Sequence, residues 1–173
     1  MSRLNCAATS SSSTITPGAA DSEPLRQALE SHLEQTHGQI ERLDQVFEQL
    51  DLPKRAKKCE AMEGLIEEAK SGMEGIEDPN VLDVGMIINA QKVEHYEMAG
   101  YGSLVALARQ LGHSEVATLL EETLEEEKAA DQKLGQIAHT VNALADEGSD
   151  AETEVARGTP IKGSRKVPSR VPA

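Results

Sequence analysis

Asn89-Ala90-Gln91-Lys92-Val93-Glu94-His95-Tyr96-Glu97-Met98-Ala99-Gly100-Tyr101 is the segment around which the rest of this chain is organised. Ile87, Met98, Tyr101, Val105 and Ala108 recur at three- and four-residue steps, which predicts one apolar stripe of a helix. Gln91 and Glu94 fall inside that stripe. A carboxylate on a core face is costly to bury unless something compensates its charge.

A partner for Glu94 lies downstream. The chain from His113 to about Leu144 reads as one long helix with the stripe Val116, Leu119, Leu120, Thr123, Glu127, Ala130, Leu134, Ile137 and Val141. Advancing at about 100° per residue places Glu127 near the middle of that stripe. Two long helices with one core Glu each predict carboxylates that meet inside a bundle, the arrangement by which helical bundles hold pairs of iron or manganese ions. The ordinary alternative is that each Glu pairs with a buried Lys, His or Tyr, or is displaced to the rim.

The other helices follow from the same periodicity. Ser22 and Pro24 mark the start of a helix that runs to about Leu50, where Asp51-Leu52-Pro53 ends it. Its stripe is Leu25, Leu29, Leu33, Ile40, Leu43, Val46, Phe47 and Leu50. His32, Thr36 and Gln39 share that face or its edge, Glu34 and Glu41 point away, and His37 sits at the border. Lys54 to about Ile76 forms a shorter helix with Cys59, Met62, Leu65, Ile66, Ala69 and Met73 inside. Asp78-Pro79-Asn80 opens the helix of Glu94, and Gly112 caps its end. Gly100 and Gly102 lie within that helix, where glycine costs about 1 kcal/mol relative to alanine, so close approach of another helix is the expected reason.

These elements define an all-α protein. Residues 1–22, rich in Ser and Thr and poor in apolar groups, are expected to be disordered. Residues 23–145 form the bundle domain. Residues 146–173 are expected to be a disordered tail, acidic at first and basic at its end, where Arg157, Lys162, Arg165, Lys166 and Arg170 occur without an acid.

Composition narrows the function. The 173 residues include one Phe, two Tyr and no Trp, and the formal net charge is −13. That charge argues against nucleic acid and anionic membranes as partners. No apolar run is long enough to cross a membrane. Cys6 and Cys59 imply no disulfide framework, which points to a reducing cytoplasm. No phosphate-cradling loop, Cys-x-x-Cys pair or nucleophile elbow occurs.

A ferritin-like dinuclear centre takes a Glu from each of two helices and a Glu-x-x-His pair from each of the other two. Glu94 fits a single-Glu helix, with Glu97 one turn along. Glu127 fits the last helix, but three residues on stands Ala130 rather than His, with Asp131 beside it. In the first helix the spacing Glu34-x-x-His37 exists, but Glu34 points away from the apolar stripe. His32 does face the core edge, but Leu29 precedes it by three. The pattern is thus partly met.

Four segments carry a family resemblance. They are His32-Leu33-Glu34-Gln35-Thr36-His37-Gly38-Gln39-Ile40-Glu41-Arg42-Leu43, Met62-Glu63-Gly64-Leu65-Ile66-Glu67-Glu68-Ala69, Ala90 to Gly102, and Leu120-Glu121-Glu122-Thr123-Leu124-Glu125-Glu126-Glu127-Lys128-Ala129-Ala130-Asp131. Over residues 23 to 145 the chain resembles the bacterial stress-protein family of the YciE/YciF type. The resemblance implies a ferritin-like helical bundle, a homodimer, and ferroxidase or peroxide-handling chemistry at iron or manganese. Such proteins begin with a further bundle helix that contributes a core Glu, and the residues before Ser22 do not supply it. Four helices, an incomplete metal site and an uncovered apolar face are therefore expected. The expected metal ligands are His32, Glu94, Glu97 and Glu127, with Asp131 and Tyr101 nearby. The competing expectation is a non-catalytic dimeric helical protein acting through association.

Overall fold

The computed structural model describes residues 16–54 and 58–157, with backbone alone over 147–157. Four helices, α1 (Glu23–Gln49), α2 (Glu60–Met73), α3 (Pro79–Gln110) and α4 (Ser114–Arg157), follow a 3-10 turn at Pro17–Ala19. No strand occurs among the described residues.

The helix ends explain the connections. Asp78 caps α3 by accepting from the amides of Asn80 (2.8 Å) and Val81 (3.2 Å), while Pro79 in the first turn has no amide to satisfy. At the far end Gly112 adopts φ 79. Its amide donates to the Arg109 carbonyl, and that of His113 to the Ala108 carbonyl. This left-handed cap needs a residue that tolerates positive φ. α1 ends in the same way, but Asp51 occupies the left-handed position, at φ 50, with Leu52 N–H donating to Phe47.

α4 lies between α1 and α3. Leu25 at the start of α1 shares a core cluster with Met86, Ile87, Leu134, Ile137 and Val141. Leu43 and Val46 near its end share another with Tyr101, Val105, Val116, Ala117 and Leu120. Those groupings make α1 and α3 parallel, and α4 antiparallel to both. α2 covers the outer side of α3, where Met73 Cγ would stand 3.3 Å from a Cβ at Gly85. Each fully buried Leu contributes roughly 1.5–3 kcal/mol. Between the two apolar clusters lies a buried polar layer: Thr36, Gln39, Glu94, Glu97, Thr123 and Glu127.

Several expectations need correction. Residues 16–22 are ordered: Ala20 is buried, and the amides of Asp21 and Ser22 donate to the Asp83 carboxylate at 3.0 and 2.7 Å. Ser22 is the N-cap residue of α1 but makes no side-chain cap bond. Asp83, reaching over from α3, satisfies the neighbouring amides instead. α2 begins at Glu60 rather than Lys54, with Cys59 as its N-cap residue rather than inside its apolar face. Gly100 and Gly102 allow no close approach, because an added Cβ would meet nothing within 4 Å at either position. The backbone of α4 continues past Ala145 to Arg157, through a stretch rich in the good helix formers Ala and Glu. Residues 1–15, including Cys6, and the basic residues beyond Arg157 lie outside the described residues.

Candidate metal centre

The polar layer is built by three helices. Helical periodicity turns His32, Thr36 and Gln39 of α1, Glu94, Glu97 and Tyr101 of α3, and Thr123 and Glu127 of α4 to one level of the bundle. Glu94, Glu97 and Glu127 are 3%, 6% and 0% exposed, where an unpaired charge would be untenable. Near them stands one imidazole. His32 Nε2 lies 3.3 Å from Glu94 Oε1 and 3.6 Å from Glu127 Oε2. Ligand atoms of His32, Glu94 and Glu127 all fall within 4.8 Å of one another.

These groups do not satisfy one another fully. Glu94 Oε2, Glu97 Oε1, both oxygens of Glu127, His32 Nδ1 and the Tyr101 hydroxyl have no hydrogen-bond partner. Ionised carboxylates only accept, so without shared protons or a cation their mutual proximity leaves them short of donors. Burial, and then the neighbouring Glu127, push Glu94 up to about 10 and Glu97 up to about 9. In the metal-free protein both therefore hold protons at neutral pH and can share them with Glu127. Burial also holds the Tyr101 hydroxyl well above its ordinary value.

A second polar group braces the layer. Arg42 donates to Thr123 Oγ1 at 2.7 Å and to both oxygens of Glu126 at 2.9 and 2.7 Å. It also lies 3.2 Å from Glu122. Gln39 donates to Glu126 at 3.1 Å. The hydrogen bond to Glu126 raises Arg42. Burial would raise Glu126, yet its bonds to Arg42 and Gln39 bring it below the usual carboxylate range. This pairing is complete and leaves no open valence for a cation.

The expected ligands His32, Glu94 and Glu127 are thus brought together. Glu97 stands beside Glu127, and Tyr101 borders both. Asp131 is drawn elsewhere: Gln91 donates to it at 3.0 Å, and His95 Nε2 lies 3.2 Å from it. Glu34 is exposed, as its outward phase requires, and His37, expected at the border, is exposed as well. Among the described residues no carboxylate from a segment before α1 joins the group. Arg42, Glu126 and Asp83 are the functionally placed residues that sequence reasoning missed.

An antiparallel bundle with a carboxylate-histidine layer in its middle defines a ferritin-like protein. The chain belongs to the family described as "Domain of unknown function (DUF892)", whose model matches residues 10–146. It is 55% identical over 130 residues to protein YciF of Escherichia coli K12, covering 74% of this chain and 78% of that protein. The crystal structure of the E. coli stress protein YciF matches with a TM-score of 0.71 and 50% identity, over 81% of this chain and 86% of the other. YcfI from Rhodopseudomonas palustris matches with a TM-score of 0.70 and 42% identity, over 76% and 87%.

Proposed function

We propose that this stress-protein relative binds one redox-active divalent ion, iron in the first instance, and uses it to oxidise ferrous iron or to consume peroxide. The supporting observation is the set of orphaned buried oxygens on Glu94, Glu97 and Glu127 beside His32. A cation would take the place of the protons these carboxyls otherwise share, and carboxylate with imidazole suits iron or manganese. Four protein ligands are on hand, against the six of a ferritin-like dinuclear centre, so the donors serve one ion better than two. His32, Glu94 and Glu127 would hold it, and Glu97 would join on losing its proton. Bound iron would supply the one-electron chemistry that the side chains lack. The helices position the donors, and the apolar clusters above and below exclude water.

Elemental analysis of protein purified without chelators, beside Glu94→Ala, tests the binding. Near-stoichiometric iron or manganese that is lost in the variant is expected, with ferrous oxidation falling in parallel. Absence of metal from both proteins would remove the reading.

A second reading has its own observation. Ile88, Tyr96 and Leu107 of α3 are 50%, 41% and 50% exposed, apolar surface suited to self-association. YcfI is described as a candidate structural protein, which fits a role through assembly. Light scattering tests it: a dimer that Ile88→Lys dissociates is expected, and a monomeric wild type would exclude it.

A further inference from the structure

A cleft of about 370 Å³ opens between α1 and α4 onto the carboxylate layer. Ala28, Leu29 and His32 form one wall, Ala129, Ala130 and Lys133 the other, and the buried Glu94 of α3 borders it. At about 30 Å³ per water, the space holds on the order of ten waters.

Two independent features give the cleft a chemical direction. Ala130 stands three residues after Glu127, where a Glu-x-x-His pair would carry its imidazole. The methyl group that replaces the ring faces this cleft, so a position near the ligand set is left open to solvent. Of the four expected ligands, His32 alone keeps appreciable side-chain exposure, 19% against 4% for Glu94 and 0% for Glu127. The cleft is therefore the approach to the centre on this side. Lys133 lines it and, among the described residues, forms no ion pair or hydrogen bond. In a chain of net charge −13, an ammonium on the wall of the cleft favours an anion over a cation there.

We propose that the α1–α4 cleft is a subsite for a small anion that coordinates through oxygen or nitrogen, taking the position Ala130 leaves vacant, with Lys133 attracting its charge. The proposal rests on the metal reading above, and its test separates the two. Full-length protein is loaded with cobalt(II), whose visible bands report coordination, and titrated with azide as the probe anion. The wild type is expected to show a saturable shift of the bands. Ala130→Leu fills the space and is expected to keep its cobalt and helical content while weakening azide at least tenfold. Ala130→His places an imidazole in the vacancy and is expected to bind cobalt more tightly while losing the azide response. Lys133→Gln, on an exposed residue, is expected to weaken azide several-fold at unchanged cobalt affinity. Cobalt bands that ignore azide, or an azide response unaltered in all three variants, would overturn the subsite and leave the metal reading standing. Failure of the wild type to bind cobalt would overturn the metal reading, and this inference with it.

Discussion

Replacing Glu94 and Glu97 together by Gln changes the pH dependence of the metal-free protein in a direction the structure fixes. Both carboxyls have folded-state values far above the ordinary 4.5, about 10 and about 9, because burial and Glu127 disfavour their charged forms. Between those limits the folded state holds protons that the unfolded state releases. Stability is then fully present at acid pH and is lost as pH rises towards the folded values. Each group contributes a slope of at most about 1.4 kcal/mol per pH unit. From pH 7 to 9 the upper bound for the pair is about 5 kcal/mol, and relaxation around a coupled cluster reduces it to a few. For a chain of this size about 1 kcal/mol moves the melting point by roughly 2–4 °C, so a drop on the order of 10 °C is expected in excess chelator. The double Gln variant keeps shape and hydrogen bonding without needing protons, and should melt at nearly one temperature across that range. Calorimetry at pH 7, 8 and 9 reads both. A flat or rising profile in the chelated wild type, or an equal slope in the variant, would refute the reasoning. Bound metal replaces the protons, so its affinity should rise with pH over the same window.

Asp83→Ala removes the acceptor for the Asp21 and Ser22 amides and should cost about 1–3 kcal/mol; hydrogen exchange should show the first turn of α1 opening before the rest. Gly100→Ala and Gly102→Ala meet open space and should each raise stability by roughly 0.5–1 kcal/mol in denaturant titration. Gly85→Ala presses on Met73 and should give no such gain. Asp51→Gly relieves the positive φ at the end of α1 and should stabilise by a few tenths to about 1 kcal/mol; a loss would mean that the carboxylate is needed there.

The layer itself was readable because helical periodicity is unforgiving. Glu94 and Glu127 interrupt long apolar stripes at phases that admit no outward rotation, and His32, Thr36 and Gln39 do so in α1. Arg42 and Glu126 escaped notice because each lies one step off its stripe, where a charged residue ordinarily faces water. Only the packing of α1 on α4 shows that they meet. Asp83 was hidden for a related reason: its partners are backbone amides, which leave no trace in side-chain pattern. The glycines of α3 misled in the opposite sense, since a glycine within a helix reads alike whether a neighbour presses on it, as at Gly85, or nothing does. A drop in apolar content predicts that α4 ends near Ala145, whereas Ala and Glu sustain its helical backbone to Arg157 without a core.

The carboxylate that steadies the start of α1 belongs to a residue 61 and 62 positions further along the chain. A nascent chain therefore exposes α1 with the amides just ahead of it unanswered until α3 has been made. α3 and α4, joined through Leu111–His113, close on each other at little cost in loop entropy. The hairpin of α3 and α4 should accordingly be the folding nucleus, with α1 docking late onto a finished surface. Transition-state mapping should give high φ-values at Val105 and Ala117 and low ones at Leu25. By this order of assembly the acidic layer stays open to solvent on its α1 side until the last step, which would give the proposed metal ion a route in during folding.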